Sequence, residues 1–207
     1  MDTEPDTAQL LAQLYDPDPL ALSRLRDSLV GAAADEGLLD VAYRTLDTPI
    51  GTLLLAATEE GLVRVAFDSE DHDLVLVSLA QRVSPRILLS PGRLDDAARQ
   101  LSEYFAGHRR AFELSLDLRL SKGFRASVLA HLPEIGYGHT ESYARVALAT
   151  GRPRAVRAVG SACATNPLPV VVPCHRVVRS DGSYGGYLGG LDAKKLLLTM
   201  EATAATT

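Results

Sequence analysis

The chain has 207 residues, of which 46% are hydrophobic and 23% charged, and its formal net charge is −5. These values indicate one or two globular domains, and the lack of any apolar run of about 18 residues argues against a membrane span. The N-terminus is acidic and polar, unlike a signal or transit peptide, so we expect a cytoplasmic protein. Two cysteines, Cys163 and Cys174, make neither a disulfide framework nor, without a CxxC pair, a zinc site. We therefore expect no metal and no cofactor.

Positive charge is concentrated toward the C-terminus. From Lys122 onward the chain has ten lysine and arginine residues against five acidic ones, so this part carries about +5 and the preceding part −10. Such an asymmetry favours one basic face for an anionic partner. A chance distribution of charge is the alternative that the sequence leaves open at this point.

The first 38 residues form an acidic leader. Two short helical patterns occur in it, at 8–15 and 20–34, and it contains no cysteine or histidine and no glycine motif. We interpret residues 1–38 as a helical appendage that packs on the rest of the chain or on a partner.

Residues 39–121 combine strand and helix patterns, which predicts an α+β support domain. A turn at 47–51 and a glycine connection ending at Gly61 separate the strand patterns. In the last of these, 62–67, apolar residues alternate with others, so we expect a half-buried strand. The helices expected in this part span 73–83 and 94–105.

The remaining part, 122–207, predicts a mainly helical domain. Thr140 is expected to cap a helix at 140–150, and a glycine–proline connection at 151–153 leads into a second helix at 153–165. Two short helices joined by about three residues that include glycine form a helix-turn-helix outline. Many helical hairpins share this outline, so it does not by itself indicate DNA binding.

The second of these helices has an unusually smooth surface. Ala155, Ala158 and Gly160 are small, while Arg154 and Arg157 are the large side chains on it. Small residues allow another surface to come close, and an arginine can stack or donate hydrogen bonds there. Equally, the small residues can serve helix packing and Arg157 can be a surface charge, and both interpretations stay open.

The segment Asn166–Arg176, NPLPVVVPCHR, contains the candidate nucleophile Cys174. A free thiol titrates near ~8.5 and burial raises its pKa, so a base must assist its ionisation. His175 is adjacent, but neighbouring side chains of a strand point to opposite faces. The pair therefore cooperates only if Pro173 brings the backbone into a turn or a water joins the two groups. A buried structural cysteine beside a surface histidine is the alternative.

Glu201 is the candidate partner of that histidine. It shares the apolar side of a predicted final helix, 191–202, with Leu197 and Leu198. Near a helix C-terminus a negative charge is disfavoured by the helix dipole, so an inward carboxylate there needs a partner. His175 is the obvious one, in the manner of a catalytic triad. The alternative is a Glu201 that lies in solvent with the C-terminal tail.

The glycine-rich segment 179–190 contains Tyr184 and Tyr187. It lacks the pattern of a phosphate-binding loop. It is able to form the wall of a pocket for a flat ring, although an ordinary surface loop would have the same composition.

Together these residues resemble a known family. In chain order they are Tyr143 in SY, Arg157 in RAVG, Asn166 in NP, Cys174 in PCHRV, Tyr187 in GYLGG, and Glu201. This ordered set resembles the O6-alkylguanine-DNA alkyltransferases, also called methylated-DNA–protein-cysteine methyltransferases, over about Phe124 to Glu201. Residues from about Val41 to Glu113 are similar to the N-terminal domain of that family. The resemblance implies an α/β (α+β) fold, with a ribonuclease H-like N-terminal domain and a helical C-terminal domain that contains the helix-turn-helix.

The resemblance also implies a repair protein that acts once. It would bind double-stranded DNA carrying O6-alkylguanine in the minor groove, turn the base out of the stack and transfer the alkyl group irreversibly to Cys174. O4-methylthymine is a further expected substrate. The expected protein is a monomer that can self-associate along DNA, has no membrane partner and does not turn over.

Residue roles follow from the matched positions. Arg157 would fill the gap in the base stack, Tyr143 would lie near guanine N3, and Asn166 would order the turn that carries the site. His175, through a water, and Glu201 would generate the thiolate of Cys174. The implied DNA-binding surface consists of Arg154, Ala155, Arg157, Ala158, Gly160 and Tyr143, and the implied substrate pocket of Val177, Tyr187, Leu188 and Gly189.

Two departures from the family pattern are visible. Leu188 stands where some members have a serine, so a hydroxyl contact to the base oxygen is replaced by backbone N–H or lost. Gly136 stands where proline is common, which loosens the bend before the helix-turn-helix. Two other functions also remain open from the residues: a DNA-binding alkylation or redox sensor that uses the helix-turn-helix, and a cysteine hydrolase that uses Cys174, His175 and Glu201.

Overall fold

The computed structural model describes residues 18–205, which fall into two compact units, one up to Leu39 and one from Asp40 onward. The first unit contains helix α1, Pro19–Asp35, which coincides with the second helical pattern of the leader. The first pattern, at 8–15, lies outside the described residues. Within the described part of the chain, no helix is both long enough and apolar enough to span a membrane.

A four-stranded mixed sheet begins the second unit. It consists of β1 (Val41–Thr48), β2 (Gly51–Ala57), β3 (Leu62–Phe67) and β4 (Ile87–Leu89), in the order β3-β2-β1-β4. The first three strands are antiparallel neighbours, and β4 lies parallel to β1. The predicted turn at 47–51 is confirmed, because Thr48 pairs with Gly51, whose positive φ of 97° suits glycine.

Both faces of the sheet are covered. Helix α2 (His72–Arg82) packs Val75 and Leu79 against one face. Helix α3 (Asp95–Phe105) and the C-terminal half of the chain cover the other. The expectation of a half-buried third strand is therefore wrong: every residue of β3 except Arg64 is buried, because each face of the strand meets a hydrophobic cluster.

The C-terminal half is mainly helical, as predicted. Ser142 caps α5 by accepting a hydrogen bond from the backbone N–H of Arg145 at 3.2 Å. The prediction of Thr140 as the cap is wrong, since residues 141–142 first pair with a later strand. The elements are α4 (Phe124–His131), β5 (Glu141–Ser142), α5 (Tyr143–Ala149), α6 (Val156–Ala164), β6 (Val177–Val178) and α7 (Gly190–Ala205).

The outer edge of the sheet holds the segment that leads to the site. In the edge strand β3, the backbone N–H of Val65 donates to the carbonyl oxygen of Pro167 at 2.8 Å. Nη1 of Arg64 donates to the same oxygen at 3.2 Å. The chain that follows α6 is thus attached to the sheet seven residues before Cys174.

Candidate active site

Asn166 orders the turn that precedes Cys174. Its side chain accepts a hydrogen bond from the backbone N–H of Leu168 at 3.0 Å and donates to the carbonyl oxygen of Val172 at 2.8 Å. Within this turn Val170 has a φ of +72°, which is strained for a β-branched residue and is held by the surrounding contacts. The segment is therefore a compact, hydrogen-bonded turn.

Cys174 begins a short 3-10 helical turn, Cys174–Arg176, directly after Pro173. This is the backbone turn that the sequence required for Cys174 and His175 to cooperate. The thiol is 2% exposed, and its Sγ accepts a hydrogen bond from Nδ2 of Asn166 at 3.1 Å. Burial raises the pKa of Cys174 to about 11, although the Asn166 hydrogen bond and the charge of Lys194 lower it. The thiol is thus protonated near neutral pH and needs a base to ionise.

His175 is fully buried, so the alternative of a surface histidine is excluded. Its Nε2 lies 2.9 Å from Oε1 of Glu201, and within residues 18–205 its buried Nδ1 has no hydrogen-bond partner. Burial lowers the pKa of His175, and Glu201 opposes this effect. A neutral imidazole that donates from Nε2 to Glu201 leaves the Nδ1 lone pair available to accept a proton.

Glu201 is fully buried on α7, as predicted, and does not lie in solvent. Arg176 donates to it from Nε at 3.0 Å and from Nη2 at 2.9 Å, and Oη of Tyr104 donates at 2.6 Å. Burial would raise the pKa of Glu201, but the hydrogen bonds of His175 and Arg176 bring it to about 2. The carboxylate is therefore ionised next to a neutral histidine.

Three residues of this site were missed in the sequence. Tyr104 lies within the helix predicted at 94–105, and Arg176 ends the segment that contains Cys174, but the sequence gives neither a role in the site. Lys194 is fully buried, and its Nζ donates to the carbonyl oxygen of Val177 at 2.6 Å. A signal for Lys194 was present, because it is three residues before Leu197 and shares the apolar stripe of α7.

The glycine-rich segment lies against the site. The ring of Tyr187 is 5.5 Å from that of Phe67 and 6.3 Å from that of His175. A Cβ on Gly189 would lie 2.5–2.7 Å from carbon atoms of the Phe67 ring, and a Cβ on Gly185 would meet the ring of Tyr143. Glycine is therefore required at both positions for the close approach.

The other two predicted pocket residues lie in different surroundings. Val177 is fully buried in β6, and its carbonyl oxygen is the acceptor for Lys194. Leu188 is half-buried and lines a cavity of about 370 Å³ together with Asn166 and Pro167.

Helix α6 has one buried and one open side. Val159, Ala162 and Cys163 are buried, whereas Arg157 and Ala158 are exposed. A Cβ built on Gly160 would meet no atom within 4 Å, so internal packing does not require glycine there. The open space at Gly160 and the exposure of Ala158 favour the interpretation that another surface can come close to this side of the helix. Arg154 is also exposed, Ala155 is half-exposed before the helix, and Tyr143 is half-buried at the start of α5.

The second helix begins at Val156 rather than at 153. Residues 152–155 form a turn in which the backbone N–H of Ala155 donates to the carbonyl oxygen of Arg152 at 2.8 Å. The two helices α5 and α6 pack against each other in the predicted helix-turn-helix order. No group of three or more possible metal ligands occurs in residues 18–205.

Two family models match the chain. The ribonuclease-like domain of 6-O-methylguanine DNA methyltransferase matches residues 41–118, and the DNA binding domain of 6-O-methylguanine DNA methyltransferase matches residues 123–203. A methylated-DNA–protein-cysteine methyltransferase of Mycolicibacterium paratuberculosis is 39% identical over 161 residues, covering 78% of this chain and 92% of the relative. The constitutive methylated-DNA–protein-cysteine methyltransferase of Bacillus subtilis is 39% identical over 160 residues, covering 77% and 94%.

Solved structures agree with these matches. The crystal structure of Mycobacterium tuberculosis O6-methylguanine methyltransferase is 37% identical with a TM-score of 0.70, covering 79% of this chain and 94% of that one. The crystal structure of Mycobacterium tuberculosis OGT in complex with DNA is 37% identical over the same shares, with a TM-score of 0.68. The similarity spans both halves of the fold and nearly the full length of the relatives. The chain therefore belongs to the methylated-DNA–protein-cysteine methyltransferase family.

Proposed function

We propose that this protein repairs DNA by direct reversal, transferring the alkyl group of O6-alkylguanine irreversibly to Cys174. The observation that carries the proposal is a buried Cys174 thiol, held by Asn166, in a turn whose next residue is a buried His175–Glu201 pair. The relatives are named methylated-DNA–protein-cysteine methyltransferases, and this name supports both the substrate class and a cysteine acceptor.

The first step is the ionisation of Cys174. The Sγ–H bond breaks, and the proton passes through a bridging water to Nδ1 of His175. Glu201 accepts the hydrogen bond from Nε2 and stabilises the imidazolium that forms. With a pKa of about 11, the thiol has little thiolate of its own at neutral pH, so the step depends on this base.

The second step is the transfer. The thiolate attacks the alkyl carbon, the S–C bond forms, and the C–O6 bond breaks with its electron pair on guanine. We assign Tyr143 to donate a proton at guanine N3, so that the base leaves neutral, and the imidazolium returns a proton to Tyr143. Burial raises the pKa of Tyr143, which keeps its hydroxyl protonated as a donor. The product is a thioether without an easy leaving group, so each molecule reacts once.

The proposed partner is double-stranded DNA, bound through α5 and α6. The open side of α6, with Ala158 and Gly160, would follow the minor groove, and Arg157 would enter the base stack when the damaged guanine turns out. Arg154 and Ala155 would contact the backbone nearby. We assign Val177, Tyr187, Leu188 and Gly189 to the pocket that receives the base. We propose a monomer that can self-associate along DNA.

We further propose a division of labour along the chain. Residues 39–121 would support the site, residues 122–207 would carry catalysis and DNA binding, and residues 1–38 would remain an appendage. We also propose the cytoplasm as the compartment, because a thiol acceptor must stay reduced and both cysteines are free.

The test is intact-mass analysis after incubation with a duplex that contains one O6-methylguanine. We expect each chain to gain one methyl group, located on the Cys174 peptide, and then to stop reacting. Cys174→Ser should abolish the gain while the protein still binds the duplex, and Cys163→Ser should retain it.

A methyl group on another residue, or no gain at all, would refute the proposal. Repeated turnover would instead favour a cysteine hydrolase. Sequence-selective DNA binding without transfer would favour a sensor.

A further inference from the structure

Lys194 lies on α7, two helical turns before Glu201, so both side chains project from one side of the helix. Glu201 reaches His175, whereas Lys194 is fully buried beside the strand that follows the Cys174 turn. Its Nζ donates to the carbonyl oxygen of Val177 at 2.6 Å. Helix α7 therefore brings one buried carboxylate, Glu201, and one buried amino group, Lys194, to the segment that contains Cys174.

The charge of Lys194 is not balanced by an acid. Throughout the described chain no carboxylate forms an ion pair with it, and the ionisable groups around it are Cys174, Cys163 on α6 and Arg179 after β6. An ammonium is costly to bury without an opposite charge, and Arg179 adds positive charge. Only the two thiols can become negative, and of these only Cys174 is followed by a base, His175.

We propose that Lys194 is the counter-cation of the Cys174 thiolate, a positioning residue that favours ionisation of the acceptor and is not consumed. This inference rests on the proposed function, because it gives Lys194 a part in that reaction. When Cys174 transfers its proton to His175, two buried pairs result: the thiolate with Lys194, and the imidazolium with Glu201. Each new charge thus meets an opposite charge that is already in place.

The other groups that face Cys174 remain neutral. Burial raises the pKa of both Tyr143 and Tyr187, so neither becomes an anion that would compete for Lys194. Asn166 adds a neutral donor to Sγ. One N–H of the Lys194 ammonium donates to the carbonyl oxygen of Val177, which leaves two further N–H donors. Among the described residues, Lys194 is therefore the cation whose charge lowers the pKa of Cys174 before the imidazolium forms in the reaction.

The experiment compares the wild-type protein with Lys194→Met in single-turnover transfer from a saturating O6-methylguanine duplex, between about pH 7 and pH 9.5. Methionine fills a similar volume without the charge. Near pH 7 we expect transfer to fall on the order of 10- to 100-fold, because a nearby opposite charge changes ionisation by such factors. Because the thiol has a pKa of about 11 in the wild type and a higher one in the variant, both stay largely protonated up to pH 9.5, and the ratio of the two rates should change little over this range.

Lys195→Met is the matched control, since Lys195 is the exposed neighbour on the same helix and its variant should transfer at the wild-type rate. An unchanged rate for Lys194→Met would overturn the proposal, as would an equal loss of rate in Lys194→Arg, which keeps the charge. Should Lys194→Met fail to fold, Lys194→Arg replaces it. A transfer rate within a few-fold of the wild-type rate in that variant supports the charge role, and a loss of about tenfold or more refutes it. Absence of methyl transfer in the wild-type protein would instead refute the proposed function itself.

Discussion

At Glu201 a single carboxylate accepts hydrogen bonds from His175, Arg176 and Tyr104, which come from two distant parts of the chain. The two-pronged contact of Arg176 balances the negative charge of the acid. Because of this balance, Glu201 stays ionised while burial keeps His175 neutral. That combination is the state in which the histidine can accept a proton from Cys174.

Glu201→Gln keeps the shape of this residue and removes its charge. Two buried cationic or potentially cationic partners then lose their acid, so we expect the free energy of unfolding to fall by about 3–5 kcal/mol. The imidazolium also loses its stabilisation, and transfer should slow by roughly 100-fold. Urea unfolding and single-turnover transfer measure the two effects.

Asp192→Asn on the same helix is the control for this change. Asp192 is exposed in the first turn of α7, so its variant should lose less than about 1 kcal/mol and transfer normally. If Glu201→Gln loses no more stability than Asp192→Asn and transfers as fast, the hydrogen bonds of Glu201 contribute neither to the free energy of unfolding nor to the transfer rate.

The inward position of Glu201 could be predicted from the sequence, because helical periodicity places it with Leu197 and the dipole disfavours it in isolation. Its partners Arg176 and Tyr104 could not, since nothing local indicates which distant donors meet in a core. Lys194 has the same periodicity as Glu201. It was missed because a lysine in a helix is usually exposed, and only burial reveals it.

On the scale of elements, helix α6 uses one side for packing within the domain and leaves the other side exposed. Its buried side holds it against the rest of the domain, and its open side exposes Arg157, which we propose acts on DNA. Arg157→Ala should slow transfer from an O6-methylguanine duplex on the order of tenfold or more, because the turned-out base loses the group that fills its place in the stack. Transfer from a free O6-benzylguanine base should change little, since no base stack is involved.

Arg99→Ala on α3 is the matched control, because it removes the same charge from an exposed position of the support domain. Both reactions should proceed normally in that variant. Equal losses on duplex and free base in Arg157→Ala would contradict the stacking role and indicate a general defect.

The types of the helices and strands were easier to predict from the sequence than the residues at which they begin and end. The sheet hairpins and the order of helices α5 and α6 followed from turn residues and periodicity. The start of α5 did not, because residues 141–142 pair with Val177–Val178 and so delay the helix, and this pairing depends on tertiary structure. Strand β4 was missed for the same reason, since its three residues are extended only through their pairing with β1.

On the scale of the whole molecule, one contact between the two halves of the second unit attaches the turn before Cys174 to the sheet. The edge of β3 and the turn before Cys174 meet through Pro167, about one hundred residues away in sequence. Neither strand propensity nor turn chemistry predicts such a contact. The fold class was nevertheless predictable, because the resemblance of separate motifs in both halves indicated one known architecture.

This arrangement also determines how stability depends on pH. His175 has a folded pKa below its ordinary value of 6.5, so the unfolded chain binds more protons and stability falls as pH decreases below that value. Glu201 has a folded pKa of about 2 instead of 4.5. It contributes roughly 3 kcal/mol at neutral pH, and this contribution is lost as pH falls from about 5 toward 2. Both groups therefore make the folded protein less stable as pH decreases.

Urea unfolding of the wild-type protein and of Glu201→Gln, measured between about pH 7.5 and pH 3, separates the site from the surface acids. We expect the wild-type free energy of unfolding to decline below pH 6.5 and more steeply below pH 4.5. The difference between the two proteins should shrink as pH falls below about 4.5, because Glu201 of the unfolded wild-type chain then takes up a proton that the folded carboxylate does not bind until about pH 2. Surface carboxylates titrate in both proteins and cancel in this difference. A difference that stays constant down to pH 3 would mean that Glu201 is not held ionised by His175 and Arg176.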